Sequence, residues 1–279
     1  MIPEIPLGDW VTDLVQFLRD NLDFLFQAIR SLLGGLIDGL EWLFNLPPSL
    51  VMIALFAILA WRLRGIQFAI FTALAFALVD GVGMWEPTMD TLAVVLVATL
   101  FAVAIGIPVG ILAARNAVVN AAVRPILDFM QTLPVFIYLL PAIMFFGIGT
   151  TPGAVATLVF ALPPAVRLTN LGIRQVDPEV VEAANAFGAT QNQILFRVQF
   201  PLALPTIMAG VNQVIMLALS MVVIAGMAGA GGLGAEVVRS VSTVNIGLGA
   251  ESGISVVILA IFLDRVSEAM SAIGQPPSE

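Results

Sequence analysis

The 279-residue chain contains no cysteine, no histidine and no lysine; all 11 of its basic residues are arginine. Without thiols or imidazoles it can build no disulfide, no thiol nucleophile, no imidazole base and no His/Cys metal centre. Lacking lysine, it cannot form the phosphate loop GxxxxGK[ST], whose lysine meets the phosphates. A conventional ATPase within this chain is therefore excluded. Charge is scarce, at 11% of residues, against about 25% in a soluble domain. The net charge of −8 leaves no basic footprint for nucleic acid. Met1 to Trp10 contain no arginine, so the basic start of a cleavable signal peptide is missing.

What the chain has instead is apolar surface: 59% of its residues are hydrophobic. A single soluble core of this size cannot hide that much, whereas lipid removes the need. The expected class is an all-α, polytopic membrane protein. Apolar runs predict spans over 49–61, 66–84, 89–113, 130–148, 152–170, 206–229 and 252–272, about seven in all. The first run is shorter than the roughly 20 residues a span needs and is followed at once by Arg62 and Arg64. It is expected to tilt, or to form a tight hairpin with the second.

Residues 1–45 form a separate segment, followed by the membrane domain 46–273 and a short tail 274–279. Trp10, Leu14, Phe17, Leu18, Leu22 and Leu25 recur at helical spacing and are interrupted by Asp13, Asp20 and Asp23. That pattern is amphipathic rather than spanning. Two placements fit it: a helix lying in the membrane interface, or one packed on the rest of the protein.

Arginines orient the chain, because basic residues favour the cytoplasm. Arg62/Arg64, Arg115/Arg124 and Arg174/Arg197 fall on alternate loops, and only Arg19, Arg30 and Arg239 fall opposite. The N-terminal segment is then external and the C-terminus cytoplasmic.

The longest polar interruption after Ser49 is 175–205. Asp177 is suited to capping a helix that begins at Pro178. Glu179 and Glu182 lie in its first turns, where acid suits the helix dipole. Gly188 is suited to a left-handed end. Thr190 and Gln193 have capping-box spacing for a second short helix, which Pro201 is expected to close. Two short helices around a glycine corner follow, on the cytoplasmic face.

Glu182-Ala183-Ala184, with Gly188 four residues on and Pro201 thirteen beyond that, resembles the EAA signature of ABC-importer permeases. The resemblance narrows over about 45–270. The run Arg124-Pro-Ile-Leu-Asp-Phe-Met-Gln-Thr-Leu-Pro and the stretches beginning at Phe145, Phe160, Ser220 and Val257 are similar to permeases of the glycine betaine/L-proline osmoprotectant uptake family. It implies a type I ABC-importer permease fold. It also implies that the 175–205 loop docks on a cytoplasmic ATPase through Glu182, Ala183, Ala184, Gly188 and Pro201. The implied partners are a cytoplasmic ABC ATPase dimer carrying ATP and Mg, an external solute-binding protein, a second copy of the chain, and lipid. No cofactor is expected on this chain.

Gln131, Thr132, Pro134, Tyr138 and Pro141 gather in the fourth span. Proline frees backbone carbonyls and bends a membrane helix. Either this is a broken helix lining the translocation path, or it is a kink that only shapes packing; the polar neighbours favour the path. Pro163, Pro164, Arg167, Thr169 and Asn170 are expected at a cytoplasmic helix end. Gly226, Gly229, Gly231, Gly232 and Gly234 suggest close packing and turns. A lone secondary transporter or channel is the rival class, but no carboxylate cluster lies within the spans to serve an ion relay.

Overall fold

The computed structural model describes residues 6–273; residues 1–5 and the tail 274–279 lie outside the described residues. Every regular element among the described residues is helical. Helix α1 runs Leu7–Asn45 with one non-helical residue, Leu22. Pro47 and Pro48 cannot supply the N–H groups that would continue it, and α2 (Ser49–Arg64) leaves at 101°.

Gly65, at φ +84°, joins α2 directly to α3 (Ile66–Gly81). The short first run is thus one arm of a tight hairpin. Each arm is about 24 Å long by helical rise, less than the roughly 30 Å hydrocarbon core. Phe56, Phe76 and Phe262 pack at the centre of this region, with ring centroids 5.1–5.3 Å apart.

Three long helices carry the core: α4 (Trp85–Arg115), α7 (Thr150–Arg174) and α10 (Phe200–Ser220). They approach closely because their contact faces are small. A Cβ on Gly106 would sit 2.5 Å from that of Ala165, and one on Gly110 would sit 2.6 Å from that of Thr169. Gly172 and Gly210 place α10 against α7 in the same way, each 3.0 Å from the nearest side-chain atom a Cβ would meet. In lipid, helices associate through such contacts and not through a hydrophobic drive. Leu74, Leu100 and Leu140 point outward instead, each at least 60% exposed.

The expected span 130–148 is not one helix. It divides into α5 (Ala117–Thr132) and α6 (Phe136–Phe146), bent by 99°. Leu133 precedes Pro134 and is extended, at ψ 136°, because the proline ring crowds the residue before it out of the helical region. Pro134 therefore sits in the break, while Pro141 lies inside α6.

Beyond α10, α11 (Val222–Met227) reverses into α12 (Gly232–Ser242), and α13 (Ile246–Ile273) follows. The glycines here serve turn and packing together. Gly229, Gly231 and Gly232 have positive φ, while Gly226 lies against the backbone of Gly234 and Ala235. Among the described residues four helices are long and apolar enough to cross a membrane, or up to six if each bent pair is one span, with α3 a further, shorter apolar helix.

Of the two placements, packing on the rest of the protein is seen for the second half of the N-terminal helix. Ile29, Leu33 and Ile37 pack on Ala93, Val94, Val97 and Ala154 of α4 and α7. Trp10, Val11, Leu14 and Phe17, nearer the start, are all more than half exposed.

Candidate functional site

The polar stretch folds much as its capping residues dictate. The Asp177 carboxylate accepts from the backbone N–H of Glu179 at 2.9 Å, opening α8 (Pro178–Ala186). Gly188 ends that corner at φ +80°, with open space where a Cβ would go. Thr190 then caps α9 (Gln191–Ile194), and the Gln193 side chain reaches back to the Thr190 N–H at 2.8 Å, completing the capping box.

The second helix is not closed at Pro201. It passes through a π turn, Leu195–Gln199, straight into α10, where Pro201 lies in the first turn. A proline is tolerated there because the opening N–H groups of a helix need no partner.

The loop is anchored on one side and bare on the other. Ile194 is buried, and Leu195 is buried in a cluster with Ile173, Ala203 and Ile207. Arg115, at the end of α4, donates to Asn192 at 3.1 Å. By contrast α8 buries no residue at all. Glu182 and Ala183 are exposed, Ala184 is half-buried, and Phe187 beside the corner is 93% exposed. A rigid, short, small-faced helix is thereby held out from the membrane core. Phe187 escaped the sequence reading, since a lone aromatic beside a glycine carries no signal until its exposure is seen.

The candidate path residues collect at the α5–α6 break. Gln131 and Thr132 are exposed at the end of α5, and the Thr132 hydroxyl donates back to the Phe129 carbonyl at 3.2 Å. The Tyr138 hydroxyl donates to the Met130 carbonyl, tying α6 across the break. Tyr138 and Pro141 line a cavity of about 290 Å³ with Leu133, Phe145 and Phe146; Gln131, Thr132 and Pro134 do not.

The residues expected at the cytoplasmic end of the fifth span lie inside α7, which runs ten residues beyond Pro164 to Arg174. Arg167 pairs with Asp128 of α5 at 2.5 Å, Asn170 donates to Asn120 at 2.7 Å, and Arg174 donates to the Ala113 carbonyl at 2.9 Å. These side chains fasten α5 and α4 to the half of α7 nearest the loop.

A sequence profile described as "Binding-protein-dependent transport system inner membrane component" matches residues 106–273, which contain both the loop and the α5–α6 break. The chain is 46% identical to the "Glycine betaine transport system permease protein OpuAB" of Bacillus subtilis (strain 168), covering 96% of this chain and 95% of that one. It is 47% identical to the "Glycine betaine/carnitine transport permease protein GbuB" of Listeria monocytogenes, covering 97% of each. Among solved structures, an inward-facing form of the MetNI methionine ABC transporter superposes with a TM-score of 0.62 at 25% identity, covering 67% of this chain and 93% of that one. The architecture is that of a type I ABC-importer permease. Its long α4–α7–α10 core, its bare loop helix and its match across 106–273 make this chain a member of the binding-protein-dependent transport inner membrane component family.

Proposed function

We propose that the chain is the membrane-spanning subunit of an ATP-driven importer that carries glycine betaine, or a closely related methylated ammonium solute, into the cell. The observation that carries this reading is the bare α8–Gly188 corner in a chain with no nucleotide loop of its own. A surface so exposed and so firmly anchored suits a partner that supplies the ATPase. Relatives of nearly the same length, named for glycine betaine transport, support the cargo.

In this reading α8 is the docking helix. Ala183 and Ala184 permit close approach, Glu182 offers a charge to a basic residue of the ATPase, and Gly188 sets the corner. Two copies of the chain enclose the path, with an external binding protein delivering cargo. Closure of the ATPase dimer draws the two loops together and opens the path outward; hydrolysis returns it to the inward-facing state. The N-terminal segment is external and the α8–α9 loop cytoplasmic, in keeping with the arginine distribution.

Uptake of labelled glycine betaine into proteoliposomes holding the chain, its ATPase and its binding protein tests the reading. Transport is expected only with all three and ATP. Uptake by the chain alone, driven by a sodium or proton gradient, would make it a secondary transporter instead. Carnitine is the second cargo to try, because one relative is named for both solutes.

A further inference from the structure

Two cavities meet at the end of α6. One, about 290 Å³, is lined by Tyr138, Pro141, Phe145, Phe146, Val155 and Val159 among others, with no charged side chain among the described residues. The other, about 510 Å³, is polar and includes Arg30, Ser31, Asp38, Thr150 and Thr151. Phe146 is a wall of both. The second cavity lies where α1 meets the start of α7, the end that the arginine pattern places outside.

The aromatic walls are held in position. Phe26 of α1 stacks on Phe145 at 4.2 Å between centroids and 8° between planes, and Phe145 meets Phe146 nearly at right angles, at 78°. Tyr138 is fixed through its hydroxyl to the Met130 carbonyl. Pro141 has no N–H to offer the Ile137 carbonyl four residues back; Ile137 also lines this cavity.

Ring faces attract a quaternary ammonium, and apolar walls accept its methyl groups. The absence of a carboxylate matters equally. A paired charge would hold the cation tightly, whereas conduction requires entry without trapping. We propose that this aromatic cavity is a transit site for the methylated ammonium end of the cargo, entered from the polar cavity past Phe146. The proposal rests on the betaine reading above. It also gives the packed half of α1 a role, since Phe26 braces one wall of the site.

The test uses the complete transporter, with ATPase and binding protein, in proteoliposomes. Phe145 is replaced by mono-, di- and trifluorinated phenylalanine, which keep the shape of the ring and drain its electrostatic face. Maximal glycine betaine uptake is expected to fall stepwise, by about twofold to thirtyfold across the series. Assembly with the ATPase and capture by the binding protein should stay unchanged. Equal uptake at every fluorination level in an assembled complex would overturn the proposal and leave the cavity as packing space or a lipid groove. A wild-type complex that imports no methylated ammonium compound would remove the betaine reading itself, and this proposal with it. The two failures are distinguished before any variant is made.

Discussion

Arg167 of α7 and Asp128 of α5 meet at 2.5 Å, joining the helix that leads into the loop to the helix that precedes the break. Both side chains are substantially exposed, at 43% and 66%, so water screens the pair and its net worth is about 1 kcal/mol or less. Asp128→Asn is therefore expected to leave the thermal midpoint of the purified protein within a few degrees of wild type. The effect should appear locally, as faster amide exchange over 117–132. A large global loss would mean that the pair is buried in the working assembly.

Gly188 and Glu182 are expected to matter for coupling more than for folding. At φ +80° a β-branched residue is strained by about 1–2 kcal/mol, although the space around it is open. Gly188→Val and Glu182→Arg should insert and express normally, then lose ATPase association or uncouple hydrolysis from uptake. Copurification with the ATPase, with hydrolysis measured beside transport, decides it. Variants that assemble and transport like wild type would show that this loop is not the coupling element.

Helix approach in the core gives the opposite pattern. Gly106→Val places carbon where Ala165 already stands, and overpacking of this kind costs about 1–3 kcal/mol. Gly35→Ala, with nothing within 4 Å of the added carbon, should be neutral or stabilising, because alanine is the better helix former. Thermal unfolding in detergent compares the two; equal midpoints would show that α4 and α7 do not pack as described.

The orientation has a direct test in a chain free of cysteine. Ser31→Cys and Asn192→Cys both introduce exposed thiols. A membrane-impermeant maleimide added to intact cells should label the first, and should reach the second only after lysis. Labelling of both from one side would reject the proposed topology.

Composition and short-range spacing were enough for the side-chain chemistry open to this chain, the apolar segments, and the local structure of the loop. Those features depend on composition and on residues a few positions apart. Asp177, Pro178, Gly188, Thr190 and Gln193 act on their own neighbours, so their caps and corner were legible in advance. The helix end expected at Pro201 was not, because whether a chain continues past a proline depends on what its next turn packs against. Here Leu195, Ala203 and Ile207 are held in a shared buried cluster, and the helix runs on. Likewise, Pro134 and Pro141 announced a bend, but only the fold showed one as a full break and the other as a cavity wall. The stack of Phe26 on Phe145 joins residues more than a hundred positions apart. No periodicity or spacing encodes such a contact. It exists because the fold packs Phe26 of α1 into the same cluster as Phe145 and Phe146 of α6.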